Sequence, residues 1–124
     1  MVYKAHIQEQ SGEMQTVKEH SENTAALCRK FAVQPMKDLL YTIGLMHDIG
    51  KYQSAFQQRI NGKKIKVEHS ICGTQEIMQR YDNSIGRLMA YCIAGHHSGI
   101  PDGGTILDTP DLATLSGRLK RPTE

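Results

Sequence analysis

The sequence predicts an all-α domain of about five or six helices. Its 124 residues are enough for one hydrophobic core and leave no room for a second domain. In most segments the apolar residues recur at spacings of three and four, which is the period of a helix with one buried face. Glycine, proline and asparagine residues separate these segments, as expected for turns. The chain contains no internal repeat and no low-complexity stretch.

The composition is ordinary for a globular domain, with 39% hydrophobic and 23% charged residues. No apolar run approaches the roughly 20 residues that a membrane helix needs, and the N-terminus lacks the apolar core of a signal peptide. The three cysteines are far apart and form no C-x-x-C pair, which favours reduced thiols. The net charge of +2 is too small to predict nucleic-acid binding by itself. We therefore expect a cytoplasmic protein without membrane contact.

The first two predicted helices each continue their apolar face into a histidine. The residues before Thr16 show no clear period, and a helix is predicted from Thr16 onward with His20 on its apolar face. Pro35 suits the first turn of the second helix because it has no N–H group to lose. The apolar stripe of that helix ends at His47, and Gly50 is predicted to terminate it in the left-handed cap conformation.

A short helical piece and a longer helix are predicted next. The short piece covers 52–60 and is followed by the strong turn signal Asn61-Gly62. The basic stretch 63–67 is predicted to be a mobile loop or a small hairpin. The longer helix is predicted over 68–81, with His69 in its first turn.

The chain is predicted to leave the helical path around the adjacent His96 and His97. In a regular helix neighbouring side chains diverge by about 100°, so two adjacent ligands would not easily converge. Gly95 and Gly99 bracket the pair and allow the backbone to depart from helical geometry. A last helix is predicted to begin at Thr109-Pro110-Asp111, which reads as an N-cap, a first-turn proline and a favourable acid.

Histidine and aspartate together predict a metal centre. The candidate ligands are His20, His47, Asp48, His69, His96 and His97. This ligand chemistry suits Mn, Fe, Co or Ni ions, with Zn and Mg less favoured. Six ligands are too many for one tetrahedral ion with an open position, so two ions bridged by Asp48 fit better. Two such ions can activate water for phosphodiester cleavage, and Lys51 could then hold a phosphate oxygen.

Simpler roles remain open for individual residues. A single histidine on an apolar face is more often a core residue than a ligand, and His6 is interpreted as a surface residue. Lys51 could be a solvated cation at a helix end. The basic stretch 63–66 could be an ordinary exposed loop rather than a track for phosphates. The number of candidate ligands in one small chain nevertheless favours a metal centre over independent core roles.

The same residues carry a family resemblance. They are His20-Ser21, His47-Asp48-Ile49-Gly50-Lys51, Phe56, His69-Ser70, Gly73 and Ala94-Gly95-His96-His97-Ser98-Gly99-Ile100-Pro101-Asp102-Gly103-Gly104. Over about residues 15–121 the sequence resembles the HD superfamily of metal-dependent phosphohydrolases. It is most similar to the HD nuclease domain of the CRISPR-associated nuclease-helicase of type I systems. The H-D dipeptide alone is a weak signal, whereas the double histidine followed by S-G-I-P-D-G is far more specific.

This resemblance implies an HD-domain helical bundle that cleaves single-stranded DNA as an endonuclease or exonuclease. It implies a helicase domain or subunit and an RNA-guided CRISPR surveillance complex as partners. It also implies the distribution of ligands: His20, His47 and Asp48 for the first ion, and Asp48, His69, His96 and His97 for the second. Asp48 and Lys51 would be the catalytic residues, with Lys51 facing the phosphate.

The sequence departs from the family pattern in one respect. In the family an aspartate from a later helix completes the first metal site, whereas Asp102, Asp108 and Asp111 match the loop and the helix directly after the double histidine. We therefore expect residues 1–124 to be an HD nuclease domain that is incomplete at its C-terminus, with a weak first site. The alternatives are an HD phosphohydrolase of nucleotides or small phosphate esters, and a catalytically incomplete assembly module.

Overall fold

A computed structural model describes residues 1–81 and 83–124, except for the side chain of Asn83. Within these residues the chain forms six α-helices and one two-stranded sheet, so the all-α prediction is confirmed. The elements are β1 (Lys4–Ile7), β2 (Met14–Thr16), α1 (Val17–Phe31), α2 (Lys37–Met46), α3 (Ser54–Ile60), α4 (Ser70–Arg80), α5 (Asn83–Gly95) and α6 (Leu115–Arg118). Two short 3-10 helices, Gln34–Met36 and Ile49–Tyr52, lie on either side of α2. No helix in the described part of the chain is long and apolar enough to span a bilayer.

The helices pack around a core between α2, α4 and α5. The fully buried side chains Ile77, Met89 and Ile93 form its centre. Partly buried residues of α2 cover this cluster from one side. On its other flank α2 packs closely along α1, because Gly44 lets the helix backbones approach at Ala25. The bundle therefore holds the C-terminal ends of α2 and α5 close to each other.

An N-terminal hairpin precedes the helices. Strands β1 and β2 pair antiparallel, and Gly12 adopts a φ of 72° in the connecting turn. The sequence before Thr16 shows no clear period, and this hairpin was not predicted. These strands have only four and three residues, so they are too short to show an alternating pattern. Thr16 then caps α1 through a reciprocal capping box with Glu19, which confirms the predicted helix start.

The chain does not end α2 in the predicted way. Helix α2 stops at Met46, His47 keeps a right-handed conformation, and residues 49–52 form a 3-10 helix. Gly50 lies inside that 3-10 helix, so the left-handed cap predicted for it is wrong. A Cβ atom at residue 50 would instead collide with the backbone carbonyl of His69. Glycine is needed here because two backbone segments of the bundle touch.

A second glycine serves the same purpose on α4. A Cβ atom at Gly73 would collide with the backbone carbonyl of Met46, the residue before His47. Helix α4 begins at Ser70, and His69 occupies the N-cap position just outside it. The long predicted helix is thus confirmed with slightly shorter bounds, and its start is pressed against the end of α2.

Two other segments had open or different predictions. The described residues 63–69 contain no strand, so of the two structures predicted for the basic stretch, a loop or a hairpin, it is a loop. The last helix begins at Leu115 with Thr114 as its N-cap, and not at Thr109. Thr109 instead donates a hydrogen bond from its hydroxyl to the Asp111 carboxylate. Such local polar bonds compete with helix formation.

Replacing Gly50 by alanine should disrupt the contact between the ends of α2 and α4. We expect Gly50→Ala to lower the free energy of unfolding by about 3 kcal/mol or more, because the backbone of His69 must move. The control is Gly62→Ala, where a Cβ atom meets open space and only the φ of 105° is unfavourable. That control should cost about 1–2 kcal/mol. Urea unfolding measures both values, and equal losses would contradict the close-contact explanation.

Candidate metal centre

Asp48 lies at the centre of the candidate site. It follows the end of α2, and only 2% of its surface is exposed. Its two carboxylate oxygens face different groups of side chains, so the residue divides the site into an Oδ1 side and an Oδ2 side. A buried carboxylate of this kind requires hydrogen bonds or a cation on both oxygens.

The Oδ2 side is formed by α1 and by the turn after α2. The Nε2 atom of His20 lies 2.9 Å from Oδ2, and that of His47 lies 3.2 Å away. The Nζ atom of Lys51 approaches Oδ2 to 2.8 Å. All three groups point at one oxygen, and the two imidazoles among them are candidate ligands.

The Oδ1 side is formed by the start of α4 and the end of α5. The Nε2 atoms of His69, His96 and His97 lie 3.3, 3.1 and 4.0 Å from Oδ1. Ligand atoms of these three histidines and Asp48 all lie within 4.8 Å of one another. The structure therefore brings together all six residues predicted as ligands.

The end of α5 allows two adjacent histidines to converge. The helix stops at Gly95, and Gly99 donates its N–H to the Gly95 carbonyl at 2.8 Å with a φ of 85°. This turn aims His96 and His97 at the same carboxylate oxygen. The predicted departure from helical geometry between the two glycines is confirmed.

Two imidazole rings are oriented by backbone carbonyls. His47 donates from Nδ1 to the Gly44 carbonyl at 2.6 Å, and His96 donates from Nδ1 to the Ile93 carbonyl at 2.6 Å. A carbonyl can only accept, so the Nδ1 atom of each ring carries a proton and the Nε2 atom is left to face Asp48. Rings held in this way are typical of metal ligands.

Close nitrogen pairs provide a test of whether these residues fit a cation. The Nε2 atoms of His20 and His47 are 3.1 Å apart, and those of His69 and His97 are 2.7 Å apart. Converging lone pairs repel each other unless a proton or a metal ion lies between them. The nitrogen and oxygen donors suit first-row divalent ions. The residues present therefore fit metal ions on both sides of Asp48.

The charges of the site favour a carboxylate anion. Burial by itself would raise the pKa of Asp48, but hydrogen bonds from His47, His69, His96 and Lys51 outweigh it and hold the pKa far below its usual range. Burial also opposes protonation of His47, yet its bonds to Asp48 and Gly44 raise its pKa overall. Burial lowers the pKa values of His20 and His97. Both rings are thus kept in the neutral form that binds metals.

Lys51 is part of this centre and is not solvated. Only 3% of its surface is exposed, so the interpretation as a solvated helix-end cation is wrong. Besides Asp48, its Nζ atom faces the Ala5 carbonyl at 3.5 Å and the Nε2 atom of His6 at 3.4 Å. Its position beside the carboxylate compensates one negative charge. Its predicted contact with phosphate stays a prediction.

Sequence reasoning missed two contributors to the site. His6 is exposed, as predicted, but its ring packs edge-to-face on His20 with 4.7 Å between ring centres. It lies on a strand, so no helical period could reveal it. Arg118 is 7% exposed and donates to Glu68, Ser70 and the Ala94 carbonyl at 2.6–2.9 Å. It ties the C-terminal segment to the side chains of Glu68 and Ser70, on either side of His69, and to the Ala94 carbonyl, two residues before His96.

The three aspartates after the double histidine lie in other interactions. Asp108 accepts hydrogen bonds from Thr105 and Thr114, and Asp111 accepts one from Thr109. The backbone carbonyl of Asp102 accepts from the N–H of Leu115. Among the described residues, none of the three belongs to a group whose ligand atoms could share an ion.

Comparison with known proteins gives one family. A family model described as HD domain matches residues 17–119, which cover the candidate ligands and most of the chain. A search of curated proteins found no match.

Removing the charge of Asp48 should abolish metal binding. Asp48→Asn keeps the size of the side chain but loses the anionic oxygens that both sides share, so we expect affinity for Mn or Co ions to fall more than about 100-fold. Isothermal titration calorimetry measures this. The matched control is Asp38→Asn, an exposed residue paired with Arg29, which should bind as the unmodified protein does. Unchanged binding by Asp48→Asn would contradict the centre described above.

Replacing Arg118 should weaken the support behind the Oδ1 side. Arg118→Met leaves the Ala94 carbonyl and part of Glu68 without a partner, and we expect a loss of about 3 kcal/mol in the free energy of unfolding. The control is Arg80→Met, which breaks an exposed pair with Glu76 one helical turn away. Such a pair contributes less than about 0.5 kcal/mol. Similar urea midpoints for the two variants would refute the role of Arg118.

Proposed function

The chain belongs to the HD domain family of metal-dependent phosphohydrolases, and we propose that it is a nuclease for single-stranded DNA in type I CRISPR interference. The observation that carries this proposal is that the candidate metal centre opens to solvent at His97, beside a groove lined by the exposed Lys66. A polymer strand can reach such a centre without entering an enclosed cavity. Membership of the HD family alone leaves the substrate open.

The exposure of the centre supports a polymeric substrate. Asp48 is buried, but the side chain of His97 is 55% exposed. The Oδ1 side therefore faces solvent. A groove of about 640 Å³ begins at Ser98, the residue next to His97, and runs along Glu68 and the segment 112–114. A single strand laid in this groove would pass beside the candidate ligands.

The charge along the groove supports contact with phosphates. Lys66 lines it, and within the described part of the chain neither Lys66 nor its neighbour Lys64 has a hydrogen-bond or ion-pair partner. Arg118 and Arg121 also line the groove, but Glu68 pairs with both. The free cations therefore come from the basic loop that leads to His69. Lysines of this kind bind the phosphate backbone without reading sequence.

The protein's own groups would perform distinct tasks in phosphodiester hydrolysis. Asp48 and the five histidines His20, His47, His69, His96 and His97 would hold two divalent ions. Such ions supply Lewis-acid chemistry that lowers the pKa of a water and stabilises the oxygens of the phosphate. Lys51 compensates the charge of Asp48 at 2.8 Å and would approach a phosphate oxygen from the Oδ2 side. The neutral rings of His20 and His97 keep their lone pairs available at working pH.

The metal and the partners are proposed on chemical and sequence grounds. Nitrogen-rich ligands with one carboxylate favour Mn, Fe, Co or Ni ions over Mg. The run from Ala94 to Gly104 resembles the nuclease domain that works with a helicase and an RNA-guided surveillance complex. We therefore propose those partners, and a cytoplasmic location in keeping with the unpaired cysteines.

One feature favours a second candidate, an HD phosphohydrolase of nucleotides. A pocket of about 260 Å³ lies beside the centre and is lined by Phe56, Ile60, Arg59, Lys51 and His69, together with Ala5 and His6. An aromatic ring and an aliphatic side chain can hold a base, and a nearby arginine can hold a phosphate. A nucleotide could fit there without using the groove.

Nicking of circular single-stranded DNA tests the proposal. We expect the purified protein to linearise the circle with Mn, Co or Ni ions, and we expect Asp48→Asn to be inactive because the shared carboxylate is lost. Gel electrophoresis separates circular from linear strands. A circle has no ends, so its cleavage establishes an endonuclease.

The controls distinguish the two substrates. The double variant Lys64→Gln/Lys66→Gln should raise KM for DNA and leave any hydrolysis of mononucleotides unchanged, because a mononucleotide does not need the groove. Hydrolysis of mononucleotides with intact DNA circles would favour the second candidate. Metal binding without turnover of either substrate would support the assembly module instead.

A further inference from the structure

The two sides of Asp48 differ in the ligands that the helices supply. The Oδ1 side has three imidazoles, whereas the helices and the turn after α2 give the Oδ2 side two imidazoles and the ammonium of Lys51. A divalent ion on the Oδ2 side would therefore have fewer ligands than its neighbour. The hairpin before α1 reaches this gap with His6.

The strand that carries His6 has an irregular register. Lys4 lies opposite Thr16, but His6 lies opposite Gln15, so β1 has one extra residue at this point. A shift of one residue moves a side chain to the other face of a sheet, and bulges of this kind often re-aim a side chain beside an active site. Here the shift accompanies a histidine that faces the metal centre.

The backbone around His6 is held firmly against the turn that contains Asp48. Gln57 accepts the N–H of Lys4 at 2.9 Å and donates to the carbonyls of Lys4 and Lys51 at 2.9 and 2.7 Å. The N–H of Val17 donates to the Tyr3 carbonyl at 2.9 Å, which fixes the hairpin to α1. These hydrogen bonds fix the backbone just before His6, although the side chain of His6 is exposed.

The ring of His6 lies close to ligand atoms of the Oδ2 side. Ligand atoms of His6, His20 and Asp48 lie within 4.8 Å of one another, and ligands that share an ion are at most about 4 Å apart. A small rotation of the exposed ring closes that difference. The Nε2 atom of His6 lies 3.4 Å from Lys51, longer than a good hydrogen bond of about 3 Å, so an ion would displace only a weak hydrogen bond from the ammonium.

We propose that His6 is a ligand for the ion on the Oδ2 side of Asp48. Each oxygen of Asp48 then faces three imidazoles, His6, His20 and His47 on one side and His69, His96 and His97 on the other. The inference rests on the proposed metal-dependent function. It supplies the first ion with a ligand from the N-terminal hairpin of this chain.

Cobalt titration of matched variants tests the proposal. Wild-type protein should bind two Co ions by calorimetry and show two sets of visible absorption changes. His6→Ala should keep one ion at wild-type affinity and weaken the other by at least the 10–100-fold that loss of a supporting group costs. His6→Gln, which can still accept a hydrogen bond from Lys51, should show the same loss. The control is Gln10→Ala at the exposed tip of the hairpin, which should bind as wild type does.

Thermal unfolding without metal shows whether the hairpin is intact. His6 is exposed, so His6→Ala should keep the melting temperature within about one degree of wild type. The proposal would be overturned if His6→Ala bound two Co ions with the affinity of the wild-type protein. Reduced DNA cleavage with unchanged cobalt binding would also overturn it, because His6 would then act on Lys51. Absence of cobalt binding in wild type would overturn the metal-dependent function itself, a result distinct from these two.

Discussion

The fold depends on burying one negative charge. A carboxylate removed from water is costly unless cations or hydrogen bonds surround it, and Asp48 is almost completely buried. Its compensation comes from α1, from the turn after α2, and from the segments that begin α4 and end α5. Each of these elements must therefore arrive at one point, which constrains how the bundle can pack. A separate apolar core behind the site, centred on Ile77 and Ile93, holds the helices that carry the ligands.

Close backbone contacts make this convergence possible. Gly50 touches the carbonyl of His69, and Gly73 touches the carbonyl of Met46. His69 is itself a candidate ligand, and Met46 directly precedes the candidate ligand His47. Glycine is therefore required at the points where these chain segments meet. Arg118 adds a third tie, from the C-terminal segment to the Ser70 hydroxyl and the Ala94 carbonyl. Residues that are not candidate ligands, namely Gly50, Gly73 and Arg118, thus help to set the geometry of the centre.

Much of this arrangement could be predicted from the sequence because it rests on local patterns. The helical period placed His20 and His47 on apolar faces, and two glycines marked the turn at His96 and His97. The six candidate ligands do lie together, and membership of the HD family is confirmed at the level of a metal-dependent phosphohydrolase. Long-range contacts could not be predicted. The hairpin that carries His6 depends on Gln57, and the burial of Lys51 depends on Ala5, each about 50 residues away in sequence. The DNA substrate stays a prediction because it depends on a surface, and no local motif specifies a groove.

The spread of the ligands along the chain has a consequence for folding. His96 is 48 residues from Asp48, and His20 is 27 residues from His47. An ion shared by such residues acts as a reversible cross-link that closes long loops, and such links restrict the unfolded ensemble more as the loops lengthen. The ligand set forms only when distant segments have already docked, so a metal ion selects the finished bundle over partly folded states. At a free concentration 100 times its Kd, each ion would stabilise the native state by about 2.7 kcal/mol. Metal supply would then set the stability of the folded protein as well as its chemistry.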